Sequence, residues 1–150
     1  MGLDISHGCW DGAYGAFGRW RQKVAELAGL PPLELMEGFY AEDYSGPFSL
    51  VDCIKMPRAH DQIKRVMEKL PIKWECIRYT PLLILLRHSD CEGRIRWAEC
   101  MEIAKALEKI LPLFPDEDAG GHIGNWRLKT QRFINGLKLA YDKKEDVHFG

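Results

Sequence analysis

Residues 88–99 read HSDCEGRIRWAE, and their spacing overlays the twelve-residue loop that wraps a calcium ion. Asp90 stands at position 3, Glu92 at 5, Gly93 at 6, Ile95 at 8 and Glu99 at 12. In such a loop alternate side chains turn oxygens inward, the glycine permits a sharp bend, and the last glutamate closes the site with two oxygens. Position 1 departs from the pattern. It is His88, and an imidazole nitrogen is a poor ligand for a hard cation. A magnesium or transition-metal ion on His88, Asp90 and Glu92 is the alternative use of these donors, and a divalent cation is the one cofactor they suggest. The same residues also read as turn chemistry, with Ser89 and Asp90 bonding the loop backbone and Gly93 supplying a positive φ.

Two further segments carry groups that bind ligands. Residues 120–127 read GGHIGNWR, where Gly121 lets a backbone approach a ligand and the amides near His122 and Asn125 lead into a helix start. Trp126 and Arg127 add an aromatic face and a guanidinium. The spacing is neither a dinucleotide fingerprint nor a P-loop, so a plain flexible connection with Asn125 as helix cap accounts for it equally well. The third segment holds His7, Trp10 and Asp11, with Arg19 and Arg21 a turn or more later. Aromatic faces stack on bases and Arg forks pair with phosphates, while a tryptophan such as Trp10 also serves as core. Convergence of the three segments would line one pocket. Cys9 near His7 and Cys91 near His88 are the local thiol–imidazole pairs, and no nucleophile signature surrounds either.

These segments must be placed by the elements between them. Residues 3–6 alternate apolar and polar as a short strand does, and residues 7–12 are turn formers expected to lead straight into a helix from Ala13. That helix buries Phe17, Trp20, Val24 and Leu27 and stops at Gly29 before Pro31 and Pro32, with Arg19, Arg21 and Lys23 outward. A short helix at 33–40, a turn at 44–47, a strand at 48–54 and a helix at 59–70 are expected in the middle. Residues 82–86 are all Leu and Ile; periodicity does not separate a buried strand from a helical turn, and the short length favours a strand. Over 97–114, Cys100, Ile103, Ala104, Leu107, Ile110 and Leu111 then mark a clear helical stripe. After an acidic, glycine-rich connection, Asn125 caps a last helix with Trp126, Phe133, Ile134, Leu137 and Tyr141 inward and Arg127, Lys129, Arg132 and Lys138 outward. The sum is a single α+β domain over residues 1–150, with about four helices packed on a small sheet.

Composition narrows the partners. With 46% hydrophobic and 29% charged residues the chain is ordinary for a globular domain, and 150 residues bury a core without a staple. The net charge of −1 provides no basic field for duplex nucleic acid, though a small anion needs only a local cluster. Five cysteines without a C-x-x-C pair, and no signal-peptide pattern at the start, lead us to expect a reduced cytoplasmic protein. No apolar run approaches the ~20 residues a membrane span requires.

Three stretches, LDISHGCWDGAYGAFGRWR (3–21), LLRHSDCEG (85–93) and AGGHIGNWRLKTQRFINGLKLA (119–140), resemble a group of small bacteriophage and prophage proteins. Those proteins tend to carry Asp where this chain has Glu92. The resemblance implies a phage origin and the cytoplasm of a bacterial host, and it transfers no catalytic residue. Small phage proteins often antagonise host immunity, some by sequestering nucleotide signals and others by cleaving them, so the resemblance implies a binder of a nucleotide-derived ligand. Such a charged ligand must be deeply buried, which a homodimer or larger homo-oligomer would help supply. The alternatives are a metal-dependent phosphodiesterase using His88, Asp90, His122 and His7, and an inhibitor that binds a protein through an apolar face.

Overall fold

The computed structural model describes residues 2–39 and 71–150. The turn at 44–47, the strand at 48–54 and the helix at 59–70 lie outside the described residues. Contacts group the chain into two compact units, one of residues 1–28 with 79–150 and one of residues 29–78.

In the first unit, Leu3 and Ile5 alternate with exposed neighbours along strand β1 (Gly2–Ile5), which pairs antiparallel with β2 (Trp10–Ala13). Residues 7–12 therefore do not run directly into a helix, as their turn composition suggests. They close a hairpin whose second strand precedes the helix. The cause is the His7-Gly8 pair: both have positive φ, 61° and 70°, and Cys9 N donates to Ser6 O at 3.2 Å. That is the two-residue turn whose twist matches paired strands.

Helix α1 (Tyr14–Leu27) follows and buries Phe17, Trp20, Val24 and Ala25. Trp10 meets Phe17 edge-on at 5.2 Å between ring centroids, and Trp20 stacks on Phe133 at 4.7 Å. Arg21, expected outward, is only 2% exposed.

Residues 82–86 form no strand. They are most of helix α2 (Leu82–Arg87), which opens with Leu83 N donating to Thr80 O. Leucine is a strong helix former and lacks the β-branch that favours strands, so an apolar run made mostly of leucine coils once Pro81 starts it. The polar loop after it ends in β3 (Arg94–Ile95), paired antiparallel with β4 (Val147–His148). Between those strands lie α3 (Trp97–Ile110), whose expected stripe is buried except for Leu111, half-buried just past the helix end, and α4 (Trp126–Lys143), which is capped by Asn125 accepting from Leu128 N at 3.1 Å and buries Phe133, Ile134 and Leu137 but leaves Trp126 half-buried and Tyr141 exposed. The two helices share the most extensive contact between elements. The fold is α+β, with four helices and two small antiparallel sheets among the described residues.

One close approach fixes how α4 crosses the hairpin. A Cβ on Gly136 would stand 2.5 Å from Cys9 Sγ and 2.9 Å from His7 O, so only glycine lets the helix lie on the turn. Lys129, also expected outward, is 7% exposed: its ammonium reaches Asp11 O at 3.0 Å and lies 4.2 Å from the Trp10 ring centroid.

The second unit is small. Two short 3-10 turns, Leu33–Leu35 and Trp74–Cys76, flank a parallel bridge between Met36 and Ile72. Trp74 Nε1 donates to Glu37 O at 2.9 Å. Within the described residues, the short helix expected at 33–40 is reduced to the first of these turns, because Met36 turns extended and the chain on either side of it bonds Ile72, with Ile72 N donating to Leu35 O and Glu37 N to Ile72 O, both at 2.8 Å.

Candidate functional site

The hairpin turn presents His7 in the left-handed region, which non-glycine residues rarely adopt. Its ring is held at both ends. Ser6 Oγ lies 2.9 Å from Nδ1, and Nε2 lies 3.3 Å from Glu145 Oε2. Glu145 is delivered by a second left-handed residue, Lys144 (φ 55°), which caps the C-terminus of α4 and turns the chain back toward the hairpin. His7 and Lys144 are the two non-glycine residues with positive φ among the described residues.

The chain after Lys144 completes a cleft. Asp146 Oδ1 accepts from Trp97 N at 2.9 Å, at the first turn of α3, and Asp146 Oδ2 pairs with Arg94 at 3.3 Å. His148 N donates to Ser6 Oγ at 2.8 Å, and Ser6 N donates to His148 O at 2.9 Å. Ser6, His7, Trp97, Lys144, Glu145, Asp146 and His148 surround an open volume of about 560 Å³, within the range of small-molecule sites. Both acids are partnered, Glu145 by His7 and Asp146 by Arg94. Lys144 forms no ion pair among the described residues. The half-buried indole of Trp97 is tilted against Tyr141 at 5.7 Å.

Of the candidate residues singled out by sequence the cleft contains His7, and its Trp97 belongs to the 88–99 segment without having been a candidate there. Most of the others tie the fold together. Trp10 is fully buried and has no face for a base. Asp11 accepts from Arg132 at 3.1 Å and pairs with Lys129 at 3.5 Å; the Arg132 hydrogen bond and charge hold its carboxyl below the usual aspartate range. Arg19 donates to Ala119 O at 3.3 Å. Arg21 donates to His88 O, with its pKa lowered by burial and partly restored by the charge of Asp90. His122 Nδ1 accepts from Ala13 N at 2.6 Å, and Arg127 donates to Phe114 O at 2.7 Å. Asn125 caps α4, Trp126 is half-buried against Phe114, and Gly121 sits exposed with φ 56°.

The loop at His88 follows the turn reading at Ser89 and at Gly93 (φ 99°), while Asp90 makes no hydrogen bond to the loop backbone among the described residues. Both ring nitrogens face main-chain carbonyls, Nδ1 at Ser89 O (2.7 Å) and Nε2 at Arg94 O (3.0 Å). The ring stacks on Phe149 at 4.0 Å. Both nitrogens are thus turned to main-chain oxygens rather than toward the loop carboxylates. Ser89 Oγ accepts from Cys91 N, Glu92 is exposed, and Asp90 and Glu99 are half-buried. Among the described residues, no three His, Cys, Asp or Glu side chains gather as a metal site, so His88, Asp90, Glu92 and Glu99 are not assembled into one.

The thiol–imidazole pairs are likewise unused. Burial raises Cys9 to about 12, and His7 is engaged by Ser6 and Glu145. Sequence reasoning missed Ser6, Trp97 and residues 144–148. The available signals were the Ser-His-Gly turn and the polar run that follows the last helix.

The chain matches no protein-family model, no curated protein and no solved structure.

Proposed function

We propose that this protein binds a small anionic ligand bearing an aromatic ring, of the nucleotide class, in the cleft between the hairpin turn and residues 144–148. The observation that carries the reading is the pairing, in one cleft, of the half-buried Trp97 indole with the Lys144 ammonium, which no described carboxylate neutralises. A base stacked on an indole is worth ~1–3 kcal/mol, and an ammonium supplies the point charge a phosphate needs. His7 and His148 add polar edges, and in this reading the exposed Glu145 carboxylate accepts a ribose hydroxyl.

The resemblance to small phage proteins supports the biological setting: sequestration of a host nucleotide signal in the bacterial cytoplasm. The test is a thermal-shift and equilibrium-dialysis screen against mononucleotides and cyclic di- and oligonucleotides. Heating the complex then shows whether the recovered ligand is intact, and light scattering gives the stoichiometry of the protein. Binding by the native chain that weakens at least about tenfold in Trp97→Ala and in Lys144→Ala supports the reading, each substitution removing about 1.4 kcal/mol or more. No shift with any nucleotide overturns it.

A further inference from the structure

Among the described residues, two histidines have both ring nitrogens engaged, and they are used in different ways. His88 faces two carbonyl oxygens, neither of which can give or take a proton at neutral pH. His7 faces a hydroxyl and a carboxylate. A carboxylate only accepts, so His7 Nε2 carries the hydrogen toward Glu145, and Nδ1 of the neutral ring is left as acceptor for the Ser6 hydroxyl. The Ser6 rotor is fixed from the other side by His148 N, which donates to Oγ at 2.8 Å. The result is a hydroxyl, an imidazole and an acid in series, lining an open cleft.

The turn does not require this arrangement. Positive φ at its first central position is best met by Asn or Gly, so an imidazole there bears a conformational cost. The same is true of Lys144, whose left-handed φ brings Glu145 round to the ring. Two strained residues thus bracket the imidazole–carboxylate contact. The His7 side chain is only 10% exposed, which holds the ring in place beside the hydroxyl.

We infer that Ser6 is a nucleophile, activated by His7 as general base with Glu145 orienting the ring, and that the cleft accepts small acyl esters. Ser6 Oγ bonds to the ester carbonyl carbon and its proton passes to His7 Nδ1. The ester C–O bond breaks, and the leaving alkoxide takes that proton. Water then attacks the acyl-serine, giving one proton to Nδ1; the acid departs and the proton returns to Ser6 Oγ. Ester and water become alcohol and carboxylic acid, with no other reactant. Lys144, in the same cleft, is the cation available to the transient oxyanion.

The inference needs the cleft but not a nucleotide, so the two proposals fail separately: nucleotide binding is read at Trp97, acyl transfer at Ser6. The experiment treats the full chain with p-nitrophenyl acetate and with an alkyl fluorophosphonate, following release of nitrophenol and mapping the adduct by peptide mass. One adduct on Ser6 is expected, absent in Ser6→Ala. In His7→Asn, which suits the left-handed turn but removes the base, labelling slows on the order of 100-fold. Glu145→Gln, at an exposed position, slows labelling and Glu145→Asp recovers part of the rate, whereas a merely structural carboxylate would leave it unchanged. Should His7→Asn fail to fold, the Glu145 pair decides. No adduct on Ser6 in the native chain, or a rate indifferent to His7 and Glu145 in folded variants, overturns the proposal.

Discussion

The Arg21 guanidinium donates to the His88 carbonyl at 2.7 Å and reaches the Leu86 carbonyl at 3.4 Å. Those oxygens lie at the C-terminal end of α2, where helix carbonyls have no intrahelical donors and the helix dipole is negative. A buried cation is stable there because it meets two acceptors, and its face also lies 4.7 Å from the Phe17 ring centroid. Arg21→Met keeps most of the apolar stem and strands the carbonyls. A loss of about 2–3 kcal/mol in urea unfolding is expected; a change below about 0.5 kcal/mol would show that the contact is replaced by water.

Gly136→Ala sets helix propensity against packing. In an open helix the change would gain about 1 kcal/mol. Here the new methyl meets Cys9 Sγ, the Cys9 Cα and the His7 carbonyl at 3.0 Å or less, and two of those three are backbone atoms. We expect a net loss of about 1–3 kcal/mol. Because the helix is pushed off the turn that carries His7, ligand-induced thermal shifts should shrink more than the melting temperature alone accounts for.

The cysteines divide by environment. Burial, with Cys100 adding to it, pushes Cys9 up to about 12, and burial with the nearby Asp146 raises Cys100 to about 11, so neither forms thiolate at neutral pH. Cys76 and Cys91 are exposed. Brief iodoacetamide treatment of the native protein at neutral pH should modify Cys76 and Cys91 and spare Cys9 and Cys100, as read by peptide mapping. Modification of Cys9 at the rate of Cys91 would contradict the packing of the hairpin on α4.

Asp11 titrates below its usual 3.8, chiefly through the Arg132 hydrogen bond and charge. A depressed carboxylate stabilises the fold fully above its unfolded value, and that stabilisation is lost as pH falls through the lower folded value. The side chain is 66% exposed, which limits its effect to roughly 0–1 kcal/mol. Asp11→Asn should therefore lower stability slightly at pH 7 and flatten the decline below 3.8, measured by thermal melts across an acid series. Curves that stay parallel through that window would contradict the ion pair.

The sequence exposes what is periodic and local. The stripe from Cys100 to Ile110, the alternation of Leu3 and Ile5 and the Asn125 cap could all be read because each depends on neighbours within one or two turns. Arg21 and Lys129 could not. Patterning assigns a charge to solvent, and the acceptors that draw these two inward come from elements 65 and 118 residues away. Residues 82–87 were ambiguous because a short apolar run carries no period. The cleft was hidden for a related reason: Ser6 and His148 are separated by 142 positions, and nothing local to either one points to the other.

That separation also sets an order of assembly. A contact spanning 142 residues closes nearly the whole chain into a loop, and the entropy of that closure is recovered only when much of the intervening core has already condensed. The hairpin and the helices can form from nearby contacts, whereas β4 docks on Ser6 only after α3 and α4 have brought it there. In hydrogen exchange, the amides of Ser6 and His148 should lose protection in openings smaller than global unfolding. Binding competence would then be the last property gained on folding and the first surrendered under stress.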